Sequence, residues 1–81
     1  MAQVSEVEQH DRVEYVRALN LQMCRELGIP VSYFISREQS FRENGLSGLE
    51  IQQRLYEDLS NMLEELRFEV ASLELEATNG N

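Results

Sequence analysis

Residues 46–77 read LSGLEIQQRLYEDLSNMLEELRFEVASLELEA, and this stretch decides the fold. Ser47 and Glu50 have the S-x-x-E spacing of a capping box, in which each side chain binds a free backbone N–H of the first helical turn. No Gly or Pro follows until residue 80, and apolar residues recur at alternating spacings of three and four. The pattern predicts one amphipathic helix over residues 48–77. Its core-facing stripe consists of Tyr56, Leu59, Leu63, Leu66, Val70, Leu73 and Ala77.

A helix of this length is long for so small a protein. At about 1.5 Å per residue it measures about 45 Å. A compact chain of 81 residues has a radius of gyration of only about 12 Å. We therefore expect an elongated molecule.

A second long helix is predicted over residues 5–27. Ser5 and Glu8 repeat the capping-box spacing, and Gly28 followed by Pro30 is a common helix ending. Apolar residues again recur at spacings of three and four within this segment. The core-facing residues predicted for this helix are Val13, Val16, Met23 and Leu27.

Asn20 lies within that stripe, at a core-facing heptad position. Two interpretations are open. In the first, Asn20 is a surface residue at the edge of the stripe. In the second, it is a buried polar residue that fixes register or oligomeric state, and Asn20 of a second chain is its partner.

The segment between the long helices predicts a short helix over residues 31–43. We expect its Phe34 and Phe41 to cover one end of the molecule, so that the two long helices run antiparallel. Local charge favours this direction, because Arg12 and Arg17 would then lie near the acidic end of the last helix. That end carries Glu69, Glu74 and Glu76.

The predicted fold is therefore all-α: a long antiparallel helical hairpin with a short helix at the turn. We expect one domain over residues 1–81, with a disordered tail at residues 78–81. A chain this small buries little apolar surface by itself. Self-association into a small helical bundle with coiled-coil character, as a homodimer or a larger assembly, is expected to complete the core.

A second apolar row on the last helix supports this expectation. Phe68, Ala71 and Leu75 lie on the face roughly opposite the stripe, and one neighbouring helix covers only one of these faces. A second chain or another protein would bury the row. The alternatives are that the short middle helix folds over it, or that these are scattered exposed apolar residues.

Acidic residues accompany this row, and they have two interpretations. Glu69, Glu74 and Glu76 are either a solvated last turn of the helix or an edge that docks a basic partner. In the second case Phe68 and Leu75 provide the burial, and the acids provide association rate and selectivity.

Composition narrows the function classes. The chain has 7 basic residues against 15 acidic ones, a net charge of −8. This balance argues against direct nucleic-acid binding and against anionic membranes, because binding to polyanions depends on Lys and Arg. No apolar run approaches the length of a membrane span, and no signal peptide is evident. One Cys forms no internal disulfide. We therefore expect a cytoplasmic protein.

Catalysis and metal binding have little support in the sequence. The single His, His10, has acidic neighbours but no ligand set typical of a metal site, and it lies about four helical turns from the single Cys, Cys24. Cys24 is predicted to be a small core residue. We expect no enzyme activity, no catalytic residue, no metal and no cofactor.

The predicted function is a non-catalytic protein–protein interaction module: a small acidic adaptor, regulator or assembly chaperone. Its partners would be a second copy and a protein with a basic surface. The predicted interface is Phe68, Ala71, Leu75, Glu69, Glu74 and Asn20.

The alternative is a nucleic-acid-related regulator. Residues 22–35 form a weak helix-turn-helix-like pattern around Gly28. The chain would read DNA through this corner, or it would mimic DNA with its carboxylates and occupy a basic groove on a DNA-binding protein.

Overall fold

The structure, a computed structural model, describes the backbone of residues 6–79 and the side chains of residues 10–78. Over that range the chain is all-helical, with α1 at Glu6–Leu27, α2 at Val31–Glu43 and α3 at Gly48–Asn79. The predicted capping box at Ser5 lies outside the described residues. The predicted disordered tail is wrong at residues 78 and 79, which continue α3, while residues 80 and 81 lie outside the described range.

Local chemistry explains the helix ends. Gly28 and Gly45 have φ of 73° and 87°. These values lie in the left-handed region, which is unfavourable for residues other than Gly. A residue in this conformation commonly ends a helix. At the start of α3, the Glu50 backbone N–H donates to Ser47 Oγ and the Ser47 N–H donates to Glu50 Oε1, both at 3.3 Å. The predicted capping box at the start of α3 is therefore confirmed.

The two long helices run side by side in the same direction. Gly48, at the start of α3, lies against Val13. Further along, Asn20 hydrogen-bonds to Gln52. The last turn of α1 then lies beside Leu63. Residue numbers rise together along both helices, so α1 and α3 are parallel.

α2 runs in the opposite direction between them. Near its start it lies beside Met62. One turn later Arg37 binds Asp58, with 3.0 Å between the charged atoms. Glu38 then accepts a hydrogen bond from Gln52. The partners on α3 therefore fall in number as α2 proceeds.

The antiparallel pairing predicted for the long helices is thus wrong, and the length of α2 is the reason. Its 13 residues span about 20 Å, enough to run back along α1 instead of closing the end of a hairpin. The chain reverses twice, which returns α3 to the direction of α1. The predicted approach of Arg17 to the acidic end of α3 fails as well, because Arg17 binds Glu38.

The buried core is small and lies where all three helices meet. Its apolar members are Cys24, Phe34, Ile51, Leu55 and Leu59. Of the residues predicted as core, Phe34 and Leu59 are buried. Six others are half-buried: Val13, Val16, Met23, Leu27, Phe41 and Leu63.

Five residues predicted to face the core are exposed: Tyr56, Leu66, Val70, Leu73 and Ala77. The last four are exposed for one reason. α1 ends at Leu27 and its last turn lies beside Leu63. Past that end, α3 has no neighbour among the residues that the structure describes. Tyr56 lies on the flank of the stripe that faces away from α2.

The molecule is elongated, as predicted. Its principal extents are 63 × 29 × 17 Å and its radius of gyration is 16.9 Å, against about 12 Å for a compact chain of this length. Among the helices described, none combines the length and apolarity that a membrane crossing requires.

Candidate interaction surfaces

Residues 64–79 of α3, which extend past the last turn of α1, are called the arm here, and the three-helix part before residue 64 is called the body. The stripe continues along one face of the arm as Leu66, Val70 and Leu73, which are 38%, 45% and 64% exposed. On the opposite face Phe68 is 74% exposed and Leu75 is 62% exposed. The arm therefore presents apolar side chains on two faces, and large exposed apolar surfaces of this kind mark interaction sites.

The second apolar row therefore lies on the face predicted from the sequence, opposite the stripe. Ala71 is exposed as well. The suggestion that α2 folds over Phe68 is wrong, because α2 packs against the first half of α3.

The arm is strongly acidic. It carries one Arg, Arg67, and five Glu residues: Glu64, Glu65, Glu69, Glu74 and Glu76. Phe68 shares a shallow surface depression with Glu64, Glu65 and Glu69. Another depression next to it is lined by Phe68, Glu69, Ser72, Leu73 and Glu76. The exposed aromatic ring is therefore surrounded by carboxylates.

A second surface, called the α1–α3 groove here, runs between the parallel helices on the side away from α2. Val16, Leu19, Gln53, Tyr56 and Glu57 line about 450 Å³ of it. A further depression of about 210 Å³ is lined by Leu19, Gln22, Met23, Glu26, Tyr56, Leu63 and Arg67. The floor is apolar, the rims are polar, and no residue of α2 lines either part.

On the other side of the α1–α3 pair, a buried polar network joins the three helices. The Arg17 guanidinium donates from Nε and NH2 to the two carboxylate oxygens of Glu38, at 2.8 and 3.0 Å. Gln52 Nε2 donates to Glu38 Oε2 at 2.6 Å. The Arg17 guanidinium also lies over the Phe34 ring, 5.6 Å from its centroid. The Glu38 carboxylate thereby hydrogen-bonds to Arg17 of α1 and to Gln52 of α3.

Asn20 belongs to this network and not to an interface. It is fully buried, and its Nδ2 donates to the backbone oxygen and to Oε1 of Gln52, both at 3.0 Å. The interpretation of Asn20 as a buried polar residue is therefore correct. Its predicted partner in a second chain is wrong, because Asn20 is fully buried within its own chain, where Gln52 accepts the hydrogen bonds of its Nδ2.

Glu38 and Gln52 are members of this network that the sequence did not predict. Burial would raise the pKa of Glu38, but the hydrogen bonds from Arg17 and Gln52, with the charges of Arg17 and Arg42, hold it below its usual value. No local pattern marks either residue, because each contacts partners at least 14 positions away. An available signal was the periodicity: Gln52 lies seven residues before Leu59, on the core-facing side of α3.

The residues with chemical reactivity do not converge. Cys24 is buried beside Phe34 and Leu55, and burial raises the pKa of its thiol, which disfavours the nucleophilic thiolate. His10 is exposed near the start of α1. Across the portion of the chain that the structure describes, no three His, Cys, Asp or Glu side chains form a metal-binding group.

Comparisons of the chain with protein families, with characterised proteins and with solved structures found no match.

Proposed function

We propose that this protein is a non-catalytic protein–protein interaction module that presents the arm to a basic surface of another protein. The single observation that carries the proposal is the extension of α3 beyond its own body, with exposed apolar residues on two opposite faces. Packing among the residues that the structure describes leaves the apolar residues of the arm exposed.

Phe68 is the proposed anchor. Moving a Phe side chain fully from water into an apolar pocket contributes about 1.5–3 kcal/mol, and buried aromatic residues at the centre of an interface commonly dominate its binding energy. Leu75 lies seven residues further along the same face. A partner helix or groove that accepts both side chains would follow two turns of the arm.

The charges around Phe68 select the partner. With five Glu and one Arg in the arm, a Lys- or Arg-rich surface is attracted from a distance and an acidic one is repelled. The acids therefore supply association rate and selectivity, and the apolar residues supply affinity. The expected complex forms faster at low ionic strength.

Self-association is the second part of the proposal. The core of one chain is small, and a second copy would extend it into a larger helical bundle. The proposal also includes a cytoplasmic location, which the single buried and unbridged Cys24 suits.

The first prediction concerns partner capture by the wild type and by Phe68→Glu. The charge placed in the apolar patch should abolish retention of a basic protein from native lysate. Asn61→Glu, which adds the same charge two turns earlier on the same face of α3, should retain it. Direct binding of the purified partner should weaken as salt is raised. Identical retention by wild type and Phe68→Glu would contradict the proposal.

The nucleic-acid alternative stays a prediction with a separate test. If α2 were a recognition helix, its Arg37 would already be engaged with Asp58, and Arg42 would be its other cation. Anisotropy titration with duplex DNA distinguishes the classes. Binding that falls steeply with salt would favour a direct reader. Salt-sensitive binding to a DNA-binding protein, without binding to DNA, would favour a DNA mimic.

A further inference from the structure

We infer that the α1–α3 groove of each chain binds the arm of a second copy, through the face with Leu66, Val70 and Leu73, in a reciprocal antiparallel dimer. The inference rests on the proposed interaction role of the arm and specifies one occupant for one of its faces. The opposite face, with Phe68 and Leu75, stays open for the basic partner. The two faces thus have different occupants.

The dimensions of the two surfaces match. From Val16 to Glu26 the α1 wall of the groove extends about 15 Å, and from Leu66 to Ala77 the stripe of the arm extends about 17 Å. The groove has an apolar floor and polar rims, and the stripe of the arm has exposed Leu66, Val70 and Leu73 with charged residues on both flanks. A helix laid in the groove would therefore be covered along most of the exposed stripe.

A two-fold axis lets both surfaces be covered at once. If the two α3 helices cross antiparallel near Leu63, Val70 of one chain lies level with Tyr56 of the other. The arm then continues along the partner's α1 towards Val16. The same contact is made twice, so the assembly closes as a dimer and leaves no groove unfilled.

The surface area of one chain agrees with this arrangement. The accessible surface is 6429 Å² for a 9.4 kDa chain. A compact monomer of that mass has about 5,000 Å², so one chain exposes about 1,400 Å² more than compactness requires. A stable interface removes about 800 Å² from each partner. The excess is enough for a dimer interface and leaves surface for the Phe68 face.

Charge favours this dimer over one in which the arms pair only with each other. Two arms in contact would bring ten Glu and two Arg together, and like charges beside a helical interface are unfavourable. In the reciprocal dimer each arm lies instead along the partner's body. The charged residues that line the groove there are Glu26, Glu57 and Arg67, and Arg12 lies one turn before Val16. Acidic arms are thereby kept apart.

The first experiment measures molar mass by light scattering over a range of concentrations. The wild type should be a dimer. Leu19→Glu in the groove and Val70→Glu on the arm should each give a folded monomer by circular dichroism. Two controls should remain dimers: Ala18→Glu, exposed on the other side of α1, and Phe68→Glu. A monomeric wild type at every concentration overturns the inference.

The Phe68→Glu variant distinguishes a failure of the proposed dimer from a failure of the proposed function. A Phe68→Glu dimer that has lost partner binding supports both. Loss of partner binding by Phe68→Glu, with a wild type that is always monomeric, overturns the dimer alone. An intact dimer in which Phe68→Glu binds the partner normally overturns the partner role of Phe68 alone.

A cross-linking experiment tests the geometry without charged substitutions in the groove. In a Cys24→Ala background, Gln22→Cys and Glu74→Cys chains are mixed and treated with a short bismaleimide. The reciprocal dimer should give links between residue 22 of one chain and residue 74 of the other. Links only between two residues 74 would show paired arms and overturn the inference, as would an absence of links.

Discussion

At the scale of single residues, Glu38 decides how the three helices meet. Its carboxylate accepts hydrogen bonds from Arg17 on α1 and Gln52 on α3. A buried carboxylate is tolerated only when such partners satisfy it. The network therefore favours the one arrangement in which all three helices bring these groups together.

Glu38→Ala should strongly destabilise the protein. It leaves the Arg17 guanidinium and the Gln52 amide without their acceptor, and the expected loss is about 2–3 kcal/mol of unfolding free energy. Urea denaturation measures it. Glu43→Ala is the matched control, because Glu43 lies exposed on the same helix. Equal losses in the two variants would show that the network does not stabilise the fold.

The pKa of Glu38 predicts a pH dependence of stability. Because the pKa is lower in the folded protein than in the unfolded chain, the stabilisation is fully present above the unfolded value, about 4.3. It is lost as the pH falls through the folded value. The free energy of unfolding, measured from pH 7 to pH 3, should fall more for the wild type than for Glu38→Gln. Parallel curves would show that Glu38 does not titrate in this way.

At the scale of the element, α3 contains one stripe in two environments. Leu59 is 5% exposed and Leu73 is 64% exposed, although both occupy the same face of the same helix. Periodicity sets the face, and the neighbouring helix sets the burial. This face is therefore buried in the first half of α3 and exposed in the second half.

This division predicts unequal effects of the same substitution. Leu59→Ala should cost about 2–5 kcal/mol, because it opens a cavity in the core. Leu73→Ala should cost less than about 1 kcal/mol, as expected for a surface position. Both are measured by denaturation in the Val70→Glu background, which removes the proposed dimer contact. A loss at Leu73 equal to that at Leu59 would mean that the arm is packed within its own chain.

At the scale of the whole molecule, the buried core lies in the body and not in the arm. The five buried apolar residues lie no further along the chain than Leu59. The arm adds length and charge but contributes little to this core. The molecule is elongated because α3 is longer than the part of it that α1 and α2 cover.

Ending the chain at Arg67 should leave the body folded. Compared with full-length Val70→Glu, we expect a cooperative unfolding transition within about 1 kcal/mol, because mainly exposed positions are removed. Small-angle scattering should show a smaller radius of gyration than the 16.9 Å of the full chain. A truncated chain without a cooperative transition would show that the arm is needed for folding.

The sequence by itself determined the local structure. The helix ends at Leu27, Val31, Glu43 and Gly48 coincide with the predicted ones, because capping residues, glycines and apolar spacing act over three or four positions. The second apolar row of the arm and the elongated shape were predictable for the same reason.

Only the tertiary structure decided the direction of α3, the exposure of Leu66, Val70 and Leu73, and the partner of Asn20. These depend on groups far apart in sequence: the length of α2 against that of α1, and hydrogen bonds across 14 to 32 positions. A periodic stripe specifies which face of a helix is apolar. It does not specify how far a neighbour reaches along that face, and this reach separates the buried core from the exposed arm.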